Sequence, residues 1–496
     1  MQIRIYTTPM RLTNVSQMHV QPGMLFSCSM TVHPASLDDQ AAHLPVSFDQ
    51  ARHVGFGSRP GSWMAVAFFL PQVADRHIIA EAWQHVIARH GTLRSVFTWK
   101  TTPAPADRTD AATNAGAETE LNLSPVSVRA GDWQQLKPEP SPVAAGFASA
   151  GSHQAAEGSA EPEAVMSAEQ IRAAIRAHFD AVCDPFGQPS YRLCVIEDPD
   201  QLKPPQIVIG ADHAHVDAWS LLVLARDLSA MVEDLLAGRE PGAQLPEAEP
   251  FSDHSALLDE KPLPPQQVLS RWQEILEAGG DAMPTFPLNL GDLSTPVDEM
   301  VEIRDVFDAE ELAYLEAYAA SHGVRLIAVA ISVMTRLARE LSGCPFRAVF
   351  PVHSRENPRW FNSVGWFITN SVLENDDEDY RACYSAVKEA IKLGSYPLAP
   401  IMRPYGGMPQ TPGMFAMSWL DHRKLPVNVD EELNPQHVSA VIRTDGVMIW
   451  FVINGSGLHL RCRYPNTRQA RRAMRTWLAG LVYGLRAPLE RGLDSA

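Results

Sequence analysis

The stretch IVIGADHAHVDAWSLLVLARDL, residues 207–228, decides how this chain is read. Ile207 to Ala211 is a short β-branched, apolar run, the pattern of a strand buried on both faces. From Trp219 onward the apolar residues recur at helical spacing, and Gly238 closes the helix. Asp212, His213, His215 and Asp217 therefore fall on a strand-to-helix connection, where a rigid scaffold carries side chains that do chemistry. In extended backbone His213 and His215 share one face and Asp212 takes the other, an expectation that a turn here would cancel.

Composition narrows the classes around this stretch. The 496 residues are 45 % hydrophobic and 20 % charged, ordinary for a globular protein with a large core. A net charge of −17 disfavours nucleic acid as the main partner, since phosphates call for surplus Lys and Arg. The basic run RQARRAMR near the C-terminus reads as the solvated face of a helix. Cys28, Cys183, Cys194, Cys344, Cys383 and Cys462 show no C-x-x-C spacing and no histidine at metal-ligand spacing, so no metal site is expected. They read as isolated thiols in a reducing compartment. With no apolar leader and no apolar run long enough to span a bilayer, the expected location is the cytoplasm.

Two halves echo each other. RHIIAEAWQHVIARHGTLRSVF places Ile79, Trp83, Val86 and Ile87 on one helical face ahead of Gly91 and a strand. VRLIAVAISVMTRLARELSGCPFRAVFPV repeats the plan, with Gly343 as the stop before its strand. Asp308 and Glu311 form an expected capping box for the helix AEELAYLEAYAA. A Pro/Glu-rich linker ending at Pro250 divides the chain into lobes 1–250 and 251–496, a mixed α/β architecture. Residues 101–163, rich in Ala, Pro, Glu, Ser and Gly, are expected to be a flexible insertion.

A histidine is suited to accept a proton from a hydroxyl or amine attacking an electrophile. His213 and Asp217 make the one H-x-x-x-D of the chain. Among 17 histidines roughly one such match is expected by chance, so its weight lies in its placement. Asp217 either orients the ring or anchors the loop through an arginine.

In that placement, DHAHVDA (212–218) resembles the H-H-x-x-x-D-G signature of the coenzyme-A-dependent acyltransferase superfamily. This group holds chloramphenicol acetyltransferase, nonribosomal-peptide condensation domains and polyketide-associated (Pap) acyltransferases. Asp212 stands for the first His and Ala218 for the Gly. Further blocks agree in order: PVSFDQARHV with S-x-x-Q-x-x-H, IARHGTLRSVF with R-H-x-x-L-R-x-x-F, then FDAVCDPFGQPSYRL, FSDHSALL and SRWQEILEAG. FPVHSRENPRWFNSVGWFITNSVLE and FAMSWLDHRKLP complete the set. The likeness runs from about Pro45 into the 460s and leans toward the Pap branch.

The resemblance implies two chloramphenicol-acetyltransferase-like lobes forming a V-shaped pseudo-dimer around a central channel. It implies an acyltransferase moving a fatty or polyketide acyl group from acyl-CoA or an acyl carrier protein to an alcohol, giving an ester in lipid or natural-product biosynthesis. Alternatives are a free-standing condensation enzyme making an amide, or a non-catalytic binding module. His213 is implied as general base, with no bound cofactor, and Asp217 with Arg355 as a structural pair across the lobes. Backbone N–H groups of Ala218 or Trp219, with Ser418, are candidates for the oxyanion; Asn370 is a candidate channel residue and His215 a candidate substrate contact. Trp366 and Trp419 are expected to pack. The implied partners are the thioester donor and a small alcohol or amine, with peripheral contact to membrane lipids, on a monomer.

Overall fold

The computed structural model describes residues 11–34, 43–102, 118–138, 164–427 and 429–493. Its first half holds β1 (Arg11–Asn14), β2 (Met24–Pro34), β3 (Trp63–Phe69), β4 (Ser95–Thr102), β5 (Glu118–Gln135), β6 (Tyr191–Glu197) and β7 (Gln206–Asp212). Between them run α1 (Phe48–Gly55), α2 (Arg76–Arg89) and α3 (Ala168–Val182), followed by α4 (Ala218–Leu236).

The second half opens with α5 (Phe251–Glu260) and α6 (Gln266–Glu277), then β8 (Val297–Asp308), α7 (Ala309–Ser321) and α8 (Leu326–Ser342). β9 (Phe346–His353), β10 (Ile368–Asn375), α9 (Tyr380–Gly394), α10 (Leu398–Met402) and β11 (Phe415–Asp421) follow. β12 (Gln436–Ser439), β13 (Arg443–Thr444), β14 (Val447–Asn454), β15 (Gly457–Pro465) and α11 (Arg468–Leu493) complete it.

The strands form two sheets. One has the order β1-β12-β3-β7-β6-β2-β5-β4 and the other β10-β9-β11-β14-β15-β8-β13. Every residue of β7 is buried, as its β-branched run requires. One face of its sheet packs on α2 and α4 through Val66, Ile209, Trp83 and Leu228. The other packs on α3 through Ala65, Val208, Ile175 and Phe179. Periodicity also holds in the second half: α7 carries the Asp308–Glu311 capping box, and α8 ends at Gly343 in the left-handed conformation, φ 73°.

Two expectations change. Glu118–Gln135 is a strand paired with β2 and β4, not part of a flexible insertion. Leu121, Leu123, Val126 and Val128 carry enough period-2 apolar character to bury Leu123 and Val128, a signal diluted by averaging composition over 101–163. Positions 103–117 and 139–163 of that span lie outside the described residues. Nor do the halves separate cleanly at residue 250. β12 inserts into the first sheet, parallel to β1 and antiparallel to β3. Gln436 reinforces the crossing: its Nε2 donates to His19 O at 3.0 Å and its Oε1 accepts from His19 N–H at 2.8 Å.

Gly210, in the middle of β7, lets α3 lie close; a Cβ there would come within 2.4 Å of the Phe179 ring. Gly210→Ala is expected to lower unfolding free energy by about 1–3 kcal/mol through overpacking. The loss should be smaller in a Phe179→Leu background, as read from urea midpoints. Equal losses in both backgrounds would reject the contact.

Candidate active site

β7 ends at Asp212, and the chain turns at once: His215 N–H donates to Asp212 O at 3.0 Å. The turn cancels the extended alternation expected for the two histidines. Asp217 is the N-cap of α4, its Oδ1 accepting from Ser220 N–H at 2.7 Å. The six-residue stretch from Asp212 to Asp217 thus has a carboxylate at each end, and each is tied outward.

Asp217 is met by Arg355 from the second half. Arg355 Nη1 donates to Oδ2 at 2.6 Å and Nη2 to Oδ1 at 3.2 Å, while Phe367 N–H donates to Oδ2 at 3.0 Å. The guanidinium also donates to Ser220 Oγ at 2.7 Å, Ser363 O at 3.2 Å and Trp360 O at 3.2 Å. It lies over the Phe367 ring at 3.9 Å. Both residues are 1 % exposed. Burial pushes the Asp217 carboxyl up, but the Arg355 charge and its hydrogen bonds outweigh this and hold it below the usual carboxylate range.

Asp212 is fully buried and held by α1. Ser47 caps that helix in a capping box with Gln50. One turn on, His53 Nε2 lies 3.1 Å from Asp212 Oδ1, which also accepts from Ala214 N–H at 2.8 Å. Gln50 Nε2 donates to Ala214 O at 2.8 Å. The S-x-x-Q-x-x-H block therefore caps its own helix and clamps the His213 turn. Burial raises the Asp212 carboxyl, yet the His53 and Ala214 contacts leave it below the ordinary range.

Between the anchors, His213 is half-buried. Its backbone N–H donates to Ser62 O at 3.0 Å. Nδ1 is buried and makes no regular hydrogen bond among the described residues, although the residue's own carbonyl favours the protonated ring. Trp366 covers the imidazole, ring centroids 4.0 Å apart at 31°, and His53 stands 6.0 Å away. Burial pushes His213 down to about 4 against the pull of Asp212 and Asp217. The ring is a neutral acceptor at physiological pH.

The remaining sequence candidates are scattered more widely. Ala218 and Trp219 occupy the first turn of α4, where N–H groups lack an acceptor within the helix. The Trp219 indole donates to Phe361 O at 2.9 Å and packs on Arg355. Asn370 donates to Asp49 Oδ1 at 3.2 Å, bridging β10 to α1. Burial raises Asp49 to about 6, opposed by Arg52, Thr369 and Asn370. Ser418 is buried on β11 opposite Trp450, and no contact joins it to His213 among the described residues.

His215 is corrected. It is 1 % exposed, its Nδ1 is 3.1 Å from Thr92 Oγ1, and its ring packs on Phe97, so the structure places it in the core and not on an exposed face. Sequence reasoning placed His53 only within a block and Trp366 only as a packing residue, and it missed Arg59 and the meeting of these residues around Asp212 and His213. The readable signal was Asp212 itself, because a carboxylate on a buried turn demands a partner.

No family model matches the chain. Acyltransferase PapA3 of Mycobacterium tuberculosis is 25 % identical over 322 residues, 60 % of this chain and 66 % of that protein. Trehalose-2-sulfate acyltransferase PapA2 of the same species is 25 % identical over 230 residues, 44 % of this chain and 49 % of its own length. The chain thus spans just under two thirds of the first of these curated relatives and about half of the second. Among solved structures, a PapA2 acyl transferase superposes with TM-score 0.75 at 19 % identity, covering 96 % of this chain and 98 % of that one. The first condensation domain of the calcium-dependent antibiotic synthetase gives 0.61 at 11 %, covering 89 % and 96 %. The chain is thus similar in sequence to Pap acyltransferases and shares the fold of PapA2 and of condensation domains.

Removing Arg355 strands a buried carboxylate. Arg355→Ala is expected to cost about 3–5 kcal/mol in urea unfolding. Because the folded Asp217 value is depressed, its contribution is full above the unfolded carboxylate range near pH 4 and fades as pH falls below it. The stability gap between wild type and Asp217→Asn should follow that course, and a gap independent of pH would refute the assignment.

Proposed function

We propose that this chain transfers an acyl group from a thioester to a hydroxyl, with His213 as general base. The supporting observation is the imidazole itself: covered by Trp366 and, among the described residues, with no hydrogen bond to another residue through its side chain, in a setting whose burial favours the neutral ring. With the proton assigned to Nδ1, toward the residue's own carbonyl, the Nε2 lone pair faces the acceptor. Nε2 takes the hydroxyl proton as the oxygen attacks the thioester carbonyl, forming the C–O bond. The tetrahedral intermediate then collapses, the C–S bond breaks, and the imidazolium returns its proton to the departing thiolate. No acyl-enzyme is required, since holding both substrates together supplies much of the acceleration. General-base help contributes about 10²–10⁴-fold.

The first-turn N–H groups of Ala218 and Trp219 suit the developing oxyanion, since a helix N-terminus favours negative charge. The donor in this reading is acyl-CoA or an acyl carrier protein. A sugar or long-chain alcohol is the acceptor we favour, because one relative is named for acylating a sulfated trehalose. Among the described residues the cysteines are free, Cys344 alone exposed, which suits work in the cytoplasm.

Thiol release from a panel of acyl-CoA donors, with and without alcohol acceptors, tests the reaction. Acceptor-dependent release that falls at least about a hundredfold in His213→Ala is expected, and product mass should show an ester. Release equal in both proteins would reject His213 as base. Because the neutral ring is the active form, kcat/KM should be level from about pH 5 upward and fall only toward pH 4. A fall centred near pH 6.5 would contradict the desolvated site.

A further inference from the structure

Asp212 replaces a histidine of the family signature, and the structure supplies it with two further residues. Arg59, in the loop after α1, places Nη2 2.9 Å from His53 Nδ1 and donates through Nη1 to His53 O at 3.1 Å. A guanidinium has donors and no acceptor. His53 Nδ1 must therefore accept, and the ring's proton sits on Nε2, where it meets Asp212. The hydrogen bonds run one way, from Arg59 through His53 to Asp212.

We propose that Arg59, His53 and Asp212 are a positioning unit for His213, a one-way relay that keeps a carboxylate charge, and no second cation, beside the base. This rests on the reading of His213 as general base. In the transition state His213 becomes an imidazolium, which the Asp212 carboxylate stabilises. A protonated His53, 6.0 Å away, would oppose it. Arg59 prevents this by occupying Nδ1 as a donor, and Ala214 N–H fixes Asp212 from the turn itself.

The charged and titratable groups around the two imidazoles are Asp212 of β7, Asp217 of α4 and Arg59. Asp184 draws on Arg59 from its outer side, and Arg52 of α1 acts on it as a like charge. Trp366 covers both rings from the second half and carries no charge.

Ring ¹⁵N NMR of the full chain at pH 7.5, with His53 assigned by His53→Gln, reads the tautomer directly. The Nε2–H form is expected, and a proton on Nδ1 would overturn the relay. The same spectrum of Arg59→Met, which removes the donor to Nδ1, supplies the second measurement. Its His53 ring should lose the pure Nε2–H signature and kcat should fall, and Arg59→Lys, which keeps a donor, should restore both. An unchanged His53 tautomer in Arg59→Met would reduce Arg59 to a structural residue and overturn the proposal.

Asp212→Asn should lower kcat about tenfold with KM unchanged, the mark of an interaction made only in the transition state. An effect confined to KM would count against it. Should Arg59→Met fail to fold, the wild-type tautomer and the Asp212→Asn split decide the matter. Turnover surviving in His213→Ala would sink the general-base reading while leaving the His53 tautomer a separate result.

Discussion

The buried pair between Asp217 and Arg355 is the constraint on which the rest of the site depends. Taking both charges out of water is costly, and their attraction offsets that cost only if the remaining donors and acceptors are satisfied. Here they are. The carboxylate accepts from Arg355 and from two backbone N–H groups, and the guanidinium reaches three further oxygens while lying on Phe367. A well-packed apolar pair could match such an arrangement in stability, but it would not specify direction. The fork fixes the N-terminus of α4 against the segment from Ser354 to Phe367. In doing so it sets how the second half presents Trp366 to His213.

The same geometry explains why packing around the ion pair tolerates no slack. Ser220 Oγ donates to Gly365 O at 2.8 Å and accepts from Gly365 N–H at 3.0 Å. A Cβ at Gly365 would come within 2.3 Å of the Phe251 ring. The Phe of FSDHSALL and the Gly of VGWF are thus two sides of one contact. Farther along α4, Asp227 is gripped by Arg89 at 2.9 Å, by His90 at 3.0 Å and by Arg226. α4 is therefore held at its start by the second half and in its middle by the first.

Much of this was legible in the chain, and for physical reasons. The buried strand, the helix stops at Gly238 and Gly343 and the capping box at Asp308 are local signals, each carried by a few neighbouring residues. His213, Asp217 and Arg355 were named because a motif and its distant partner survive as patterns. What escaped was non-local. β12 crosses into the other sheet through four residues whose sequence says nothing of their partner. β5 hid inside a span whose average composition is poor in large apolar residues. His215 was misjudged because proximity along a turn does not determine which way a ring points. The Thr92 contact and the Phe97 ring that bury it come from more than a hundred positions away.

Asp212 and Asp217 bracket the connection, and each finds its partner outside it: His53 and Arg59 on one side, Arg355 on the other. The anchoring falls to the ends and to Ala214 and His215, so the His213 side chain need not contribute. His213 makes one backbone hydrogen bond, and through its side chain none among the described residues. A side chain that takes and returns a proton in every cycle changes its donors and acceptors each time. Had its ring also held the turn in place, each proton transfer would break a structural contact worth about 1 kcal/mol or more. Separating the two tasks means that no structural contact need break when His213 takes its proton, while the flanking carboxylates offset part of the cost of forming a buried imidazolium.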